Sequence, residues 1–167
     1  MANLIKFFIF NFTLSFFLLG IFVAAVQIMR LDLTQRTSAV VYEKILKWYL
    51  FFSVGCTYFF NFIVHTFFGE VSARFIGWAD SPFQLEVGFA SLGYAAVGFL
   101  AIRKNWWLRL GAILGPALFM LGAAGGHVYQ MIVAHNFAPG NAGIMFYSDL
   151  FLPLFGATLI WLTRDEK

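Results

Sequence analysis

Five long apolar stretches, separated by short polar segments, dominate the hydrophobic pattern of this chain. They cover approximately residues 5–29, 47–68, 83–102, 106–134 and 143–162. A helix needs about 20 apolar residues to cross the roughly 30 Å hydrocarbon core of a bilayer, and each stretch is long enough. Because lipid cannot satisfy free backbone groups, and the sequence lacks the alternation of a membrane β-barrel, each stretch is predicted to be a helix.

The first stretch follows Lys6 and has some features of a secretory signal peptide. Its apolar run, residues 7–29, is longer than the roughly 7–15 residues of a signal h-region. We therefore expect a retained first span. The pattern as a whole predicts an all-α integral membrane bundle of about five transmembrane helices, which forms a single domain over residues 1–167.

Composition agrees with a lipid environment. The chain is 61% hydrophobic and 11% charged, whereas soluble domains carry about 25% charged residues. Its basic residues are spread over loops, which does not favour nucleic-acid binding. The expected partner is the lipid bilayer, and other membrane subunits or a second copy of the chain are further candidates. The single cysteine, Cys56, lies in an apolar run and is predicted to act as a small hydrophobe.

Positive charge is distributed unevenly between the predicted loops. The first loop, the third loop and the C-terminal segment carry Arg30, Arg36, Lys44, Lys47, Arg103, Lys104, Arg109, Arg164 and Lys167. The second loop has only Arg74, and residues 135–141 of the fourth contain no Lys, Arg, Asp or Glu. Since positive loops stay in the cytoplasm, the sequence predicts an N-terminus outside and a cytoplasmic C-terminus.

Local patterns predict three further details. Ser81 and Gln84 flank a proline in the manner of a capping box at the start of the third span. Glu43 and Lys47 are four residues apart and can form a weak pair on a helix. Residues 71–78 are amphipathic and are expected to form a short helix at the outer interface.

Polar side chains that lipid disfavours gather toward the outer side of the predicted spans. An ionisable group inside a span costs about 2.5–3.5 kcal/mol on insertion scales, so each needs a partner or a purpose. The candidate binding residues come from four spans and lie at similar predicted depth. In chain order they are His65, Glu86, His127, Gln130, Asn141 and Asp149.

Three interpretations of this outer cluster remain open. It is a satisfied polar network that ties the helices together, a site for a proton or a small ligand, or a metal site. Imidazole and carboxylate groups suit zinc, iron or manganese, and the metal candidates are His65, Glu86, His127 and Asp149. No His-x-x-His, Glu-x-x-His or cysteine pair supports a metal site at fixed spacing.

Function is open in the same way. The first hypothesis is a non-enzymatic membrane component or a subunit of a larger complex. The second is an intramembrane redox protein that binds a transition metal, haem or quinone. The third is a small transporter that uses Glu86 and Asp149 for a proton or an ion, although an internal repeat typical of transporters is missing. No spacing of a nucleophile and a base indicates an enzyme.

Short motifs on the outer side carry a family resemblance. They are Phe75-Ile76-Gly77-Trp78, Pro82-Phe83-Gln84-Leu85-Glu86-Val87-Gly88, Gly126-His127, Ala138-Pro139-Gly140-Asn141-Ala142-Gly143, Tyr147-Ser148-Asp149 and Pro153. In this order they resemble a family of small bacterial and archaeal multi-pass membrane proteins of unknown function. The resemblance covers about the C-terminal three-fifths of the chain. It implies a helical protein of the cell inner membrane and no particular activity.

Overall fold

The computed structural model describes residues 2–164, with side chains from Lys6 onward. The helices of this part are α1 (Ala2–Phe10), α2 (Phe12–Met29), a 3-10 helix (Leu33–Gln35), α3 (Ser38–Trp48), a π-helical segment (Tyr49–Cys56), α4 (Thr57–Phe67), α5 (Gly69–Ile76), α6 (Phe83–Leu100), α7 (Trp106–Val133), α8 (Pro139–Ala142) and α9 (Ile144–Leu162). The predicted short helix is confirmed for residues 71–76 as part of α5, whereas Gly77 and Trp78 lie beyond its end. Met1 and Lys167, at the ends of the predicted domain, lie outside the described residues.

Within the described residues 2–164, five helical runs are long and apolar enough to cross a membrane, which confirms the predicted number of spans. They are Phe12–Met29, Ser38–Phe67, Phe83–Leu100, Trp106–Val133 and Pro139–Leu162. The second begins at Ser38 rather than at residue 47, because Thr37 caps α3 by accepting from the Val40 amide. The predicted first span, residues 5–29, is divided at Asn11 into α1 and α2.

The second span lies at the centre of the bundle. Its residues Leu46, Leu50 and Val54 are at most 2% exposed. The π-helical segment packs against α2, α6 and α7, and α3 packs against α2 and α9. The contact with α6 is very close, since a Cβ on Gly98 would lie 2.7 Å from the Gly55 nitrogen. Small residues allow such approach of helix backbones.

Two helix pairs extend from this centre, α4 with α6 and α7 with α9, and each pair is closely packed. Successive spans run in opposite directions, so His127 and Arg109, near the two ends of α7, mark opposite ends of the bundle. We call these the His127 end and the Arg109 end. The space between the two pairs at the His127 end contains the candidate site described below.

A buried ion pair holds the Arg109 end together. Arg109 donates to both carboxylate oxygens of Glu43, at 2.6 and 2.8 Å, and to the main-chain oxygens of Ala101 and Arg103 at 3.2 Å. The side chains of the pair are 6% and 13% exposed. The predicted pairing of Glu43 with Lys47 is therefore wrong, because the carboxylate faces α7, where a guanidinium offers two parallel bonds.

Loss of this ion pair should be costly. Arg109→Met leaves the Glu43 carboxylate buried without its partner, so we expect the free energy of unfolding to fall by about 3–5 kcal/mol. The double variant Glu43→Leu, Arg109→Met should be less destabilised than Arg109→Met alone, because no unpaired charge remains. Reversible unfolding in mixed micelles measures both values.

The exposed pair between Arg74 and Glu70 provides the control. Its side chains are 74% and 73% exposed, so Arg74→Met should cost no more than about 1 kcal/mol. Equal losses for Arg74→Met and Arg109→Met would contradict the structural role of the buried pair.

Candidate functional site

A tight turn after α5 brings Trp78 into the bundle. Gly77 has φ +77°, in the left-handed region where glycine avoids the strain of a side chain. The amides of Gly77 and Trp78 both donate to the Ala73 oxygen, at 2.9 and 3.0 Å, which closes the end of α5. A Cβ on Gly77 would lie 2.7 Å from Asn136 Oδ1. This position therefore needs glycine for both its conformation and its space.

Asn136 joins this turn to the segment between α7 and α8. Its Nδ2 donates to the main-chain oxygens of Ile76 and Gly77 at 3.0 and 3.1 Å, and its Oδ1 accepts from the Ala138 amide at 3.0 Å. The preceding His135 is exposed and has φ +49°. The two connecting segments at the His127 end thus form one hydrogen-bonded unit.

Asn141 lies at the centre of this unit and is completely buried. Its Nδ2 donates to the main-chain oxygens of His127 and Asn136, at 3.2 and 2.9 Å. Its Oδ1 accepts from Trp78 Nε1 at 2.9 Å and lies 2.8 Å from His127 Nδ1. Because two carbonyls fix the position of the amide nitrogen, the amide oxygen must face Trp78 and His127.

The orientation of Asn141 determines the proton on His127. Since Asn141 Oδ1 is an acceptor, His127 Nδ1 carries the hydrogen and donates. His127 Nε2 then lies 3.5 Å from Asp149 Oδ2, and the two side chains are only 9% and 14% exposed. A lone pair on Nε2 facing a carboxylate would be repulsive, so the contact requires one proton between the two residues. This proton holds the two side chains together inside the bundle.

His65 is held on the opposite side by α5 and α6. Its Nδ1 lies 2.5 Å from Gln84 Oε1, and its Nε2 lies 3.3 Å from Ser72 Oγ. The hydrogen is thus on Nδ1, and Ser72 donates to Nε2. The predicted capping box of Ser81 and Gln84 is wrong, because Pro82 is the N-cap residue of α6 and Gln84 reaches His65 instead.

A cavity of about 540 Å³ lies between the two helix pairs at this end. Its polar lining is Asn61, His65, Trp78, Ser81, Gln84, His127 and Asp149, and its apolar lining includes Ile76, Phe83, Val87, Leu118, Phe119 and Met145. Gly122 also lines it, and apart from its chain neighbours and its own helix backbone no described atom lies within 4 Å of the place where its Cβ would be. The volume and the few polar groups among apolar ones are typical of a small-molecule site.

A second cavity of about 90 Å³ adjoins the first. Both are lined by Asn61, His65, Ile76 and Met145. The remaining lining of the smaller cavity is apolar apart from Ser72 and comes from α1, α2, α4 and α5. The polar cavity is thus continued by an apolar space toward the first span.

The structure brings together some of the residues proposed from the sequence. His65, His127 and Asp149 line the larger cavity, and Asn141 lies behind His127. Glu86 is exposed in the first turn of α6, outside the cavity lining. Gln130 is half-buried and contributes its main-chain oxygen, which accepts from the amides of Ala134 and Asn136.

The four proposed metal ligands do not form one group. Within residues 2–164, no three His, Cys, Asp or Glu side chains are arranged to hold a metal ion. His127 and Asp149 are adjacent, whereas His65 is bonded to Gln84 and Ser72. The geometry thus favours a hydrogen-bonding site over metal coordination.

Sequence reasoning missed the roles of Trp78 and Gln84. The sequence predicts Trp78 at the end of an interfacial helix and Gln84 in a capping box, yet both side chains line the cavity. Asn61 and His65 lie four residues apart on one face of the second span, and this spacing indicated the side of the cavity that α4 forms. Trp78 follows Gly77 and is largely apolar, so the sequence did not indicate that its side chain lines the cavity.

Comparison with known proteins places the chain in a family without assigning an activity. No curated protein and no solved structure matches it. A family of unknown function, DUF6790, matches residues 10–167. The match begins before the second span, so it is longer than the C-terminal three-fifths covered by the motifs, and it includes every residue that lines the larger cavity. The chain therefore belongs to this family of unknown function.

Proposed function

We propose that this chain is a membrane protein that binds a lipid-soluble molecule with a compact polar head, of the chemical class of the quinones. The observation that carries the proposal is the 540 Å³ cavity, in which polar side chains from four spans line an otherwise apolar space. Pockets of this size and composition bind small molecules, and their few polar groups orient the ligand.

The unoccupied hydrogen-bond donors of the cavity lining favour a ligand whose polar head accepts hydrogen bonds. His65 Nδ1 is already bonded to Gln84, and Asn61 Nδ2 uses one of its two hydrogens on Ser91. Among the described residues nothing accepts from Gln84 Nε2, which leaves this amide for a ligand carbonyl. The second hydrogen of Asn61 Nδ2 has no acceptor among the described residues, so it is a second donor. A quinone has two carbonyl oxygens, so it matches this arrangement.

Aromatic walls support a flat ring in the same place. Trp78, Phe83 and Phe119 line the cavity, and aromatic faces stack favourably on planar rings. Haem is a poorer fit, because both ring nitrogens of His65 and of His127 already have partners. The adjoining apolar cavity is suited to the start of an isoprenoid or alkyl tail.

Placement in the bilayer is part of the proposal. The basic loops that follow α2 and α6 lie at the Arg109 end, which supports a cytoplasmic position for that end. The His127 end then faces outside, in the inner membrane of the cell. We also keep two predictions: that the chain associates with other subunits or with a second copy of itself, and that it takes part in proton-coupled transport.

Quinone binding is tested with decylubiquinone, added to the purified full chain in detergent. At about a hundredfold excess over its dissociation constant, the probe should raise the free energy of unfolding by about 2.7 kcal/mol. Gly122→Phe should abolish this increase, because the ring would occupy the open space of the cavity. Thermal unfolding with and without the probe measures the effect.

Gly111→Phe is the matched control. Gly111 and Gly122 are both exposed in α7, and a new Cβ at either would have no described atom within 4 Å apart from its chain neighbours and its own helix backbone. Gly111 is not among the residues that line the cavity. Stabilisation by decylubiquinone should persist in Gly111→Phe. Absence of stabilisation in the unaltered chain, or equal stabilisation of Gly122→Phe, would refute the proposal.

Orientation is tested by labelling intact cells with a membrane-impermeant maleimide. In a Cys56→Ala background, His135→Cys should react from outside and Thr34→Cys only after lysis. Both positions are exposed, at opposite ends of the bundle. The reverse pattern would place the His127 end in the cytoplasm.

A further inference from the structure

A separate cavity lies at the Arg109 end, far along the bundle from the proposed quinone site. Its volume is about 310 Å³, and it is lined by Gln27, Val40, Glu43, Lys44, Lys47, Ile102 and Lys104. These residues come from three parts of the chain: the end of α2, the helix α3 and the segment after α6. Three spans therefore begin or end around it, at the level of the membrane surface.

Positive charge dominates this lining. Glu43 is its one carboxylate, and both of its oxygens accept from Arg109. The charge of Glu43 is thus already balanced by a residue outside the lining. Lys44 and Lys47 then give the cavity an excess of positive charge.

The two lysines of α3 are half-buried rather than fully solvated. Lys47 Nζ lies 5.5 Å from the centre of the Trp48 ring, a cation–π contact that holds its stem along the helix. Partial removal of a cation from water is unfavourable unless an anion is close. A compact anion inside the cavity would satisfy both ammonium groups.

We propose that this cavity binds the phosphate group of an anionic phospholipid. Lysine ammonium groups bind phosphate as point charges, and the Gln27 amide can add a neutral donor. Val40 and Ile102 provide apolar surface for the glycerol and the first acyl carbons. Basic pockets between membrane helices at this level bind anionic lipid headgroups. The inference is independent of the quinone proposal, because it uses other residues at the other end.

Native mass spectrometry of the detergent-purified full chain tests the proposal, with dioleoyl phosphatidylglycerol and dioleoyl phosphatidylcholine as probes. Phosphatidylglycerol should bind more tightly. In Lys44→Gln, Lys47→Gln this preference should fall by roughly fivefold for each lysine removed. Arg30→Gln is the control, since Arg30 is exposed at the same end but does not line the cavity.

Equal binding of the two lipids by the unaltered chain would overturn the proposal. So would an equal loss of preference in Arg30→Gln, because a general surface charge would then explain the effect. If the double variant does not fold, the lipid preference of the single variants and of the unaltered chain still tests the proposal. Salt raised from about 0.05 to 0.5 M should reduce the preference through screening, and a preference that salt leaves unchanged would count against a charged site.

Free phosphate is the other source of the same chemistry. Inorganic phosphate at about tenfold the lipid concentration should leave the phosphatidylglycerol complex intact, because the lipid adds apolar contacts that a free anion lacks. Complete displacement by inorganic phosphate would instead assign the cavity to a soluble anion.

Discussion

The buried amide of Asn141 is the interaction on which the His127 end depends. Inside a bilayer no water is present to satisfy a polar group, so a buried donor or acceptor is costly unless it has a protein partner. Asn141 meets this requirement for Trp78 and for both the main chain and the ring of His127. Leaving such groups unpaired costs about 1–3 kcal/mol each. The amide therefore fixes the turn after α5, the start of α9 and the imidazole between them.

The two ends of the bundle meet the same constraint in different ways. At the Arg109 end, the Arg109 guanidinium pairs with Glu43 and donates to the main-chain oxygen of Ala101 at the end of α6. These bonds join α3, α6 and α7. At the His127 end, Asn136, Asn141 and His65 make neutral hydrogen bonds within the connecting segments and between neighbouring helices. The helix pairs are thus joined at one end and leave a lined cavity at the other.

The sequence allowed the number and class of the spans to be predicted, because hydrophobic length is a local property. It also indicated His65, His127 and Asp149, since buried ionisable side chains are rare and need partners. Depth along a helix does not determine which way a side chain faces, which is why Glu86 was expected at the site but is exposed. The bond from His65 to Gln84 was unpredictable for a related reason, because it depends on how α4 and α6 are rotated against each other.

Nitrogen-15 NMR of the histidine rings, recorded on the full chain in lipid nanodiscs, tests the central claim most directly. The His127 signals are assigned by their loss in His127→Gln. If Asn141 fixes the tautomer of His127, Nδ1 carries a proton that is hydrogen-bonded to the Asn141 amide oxygen. Nε2 then shares its proton with Asp149. A ring in which Nδ1 carries no proton would contradict this arrangement.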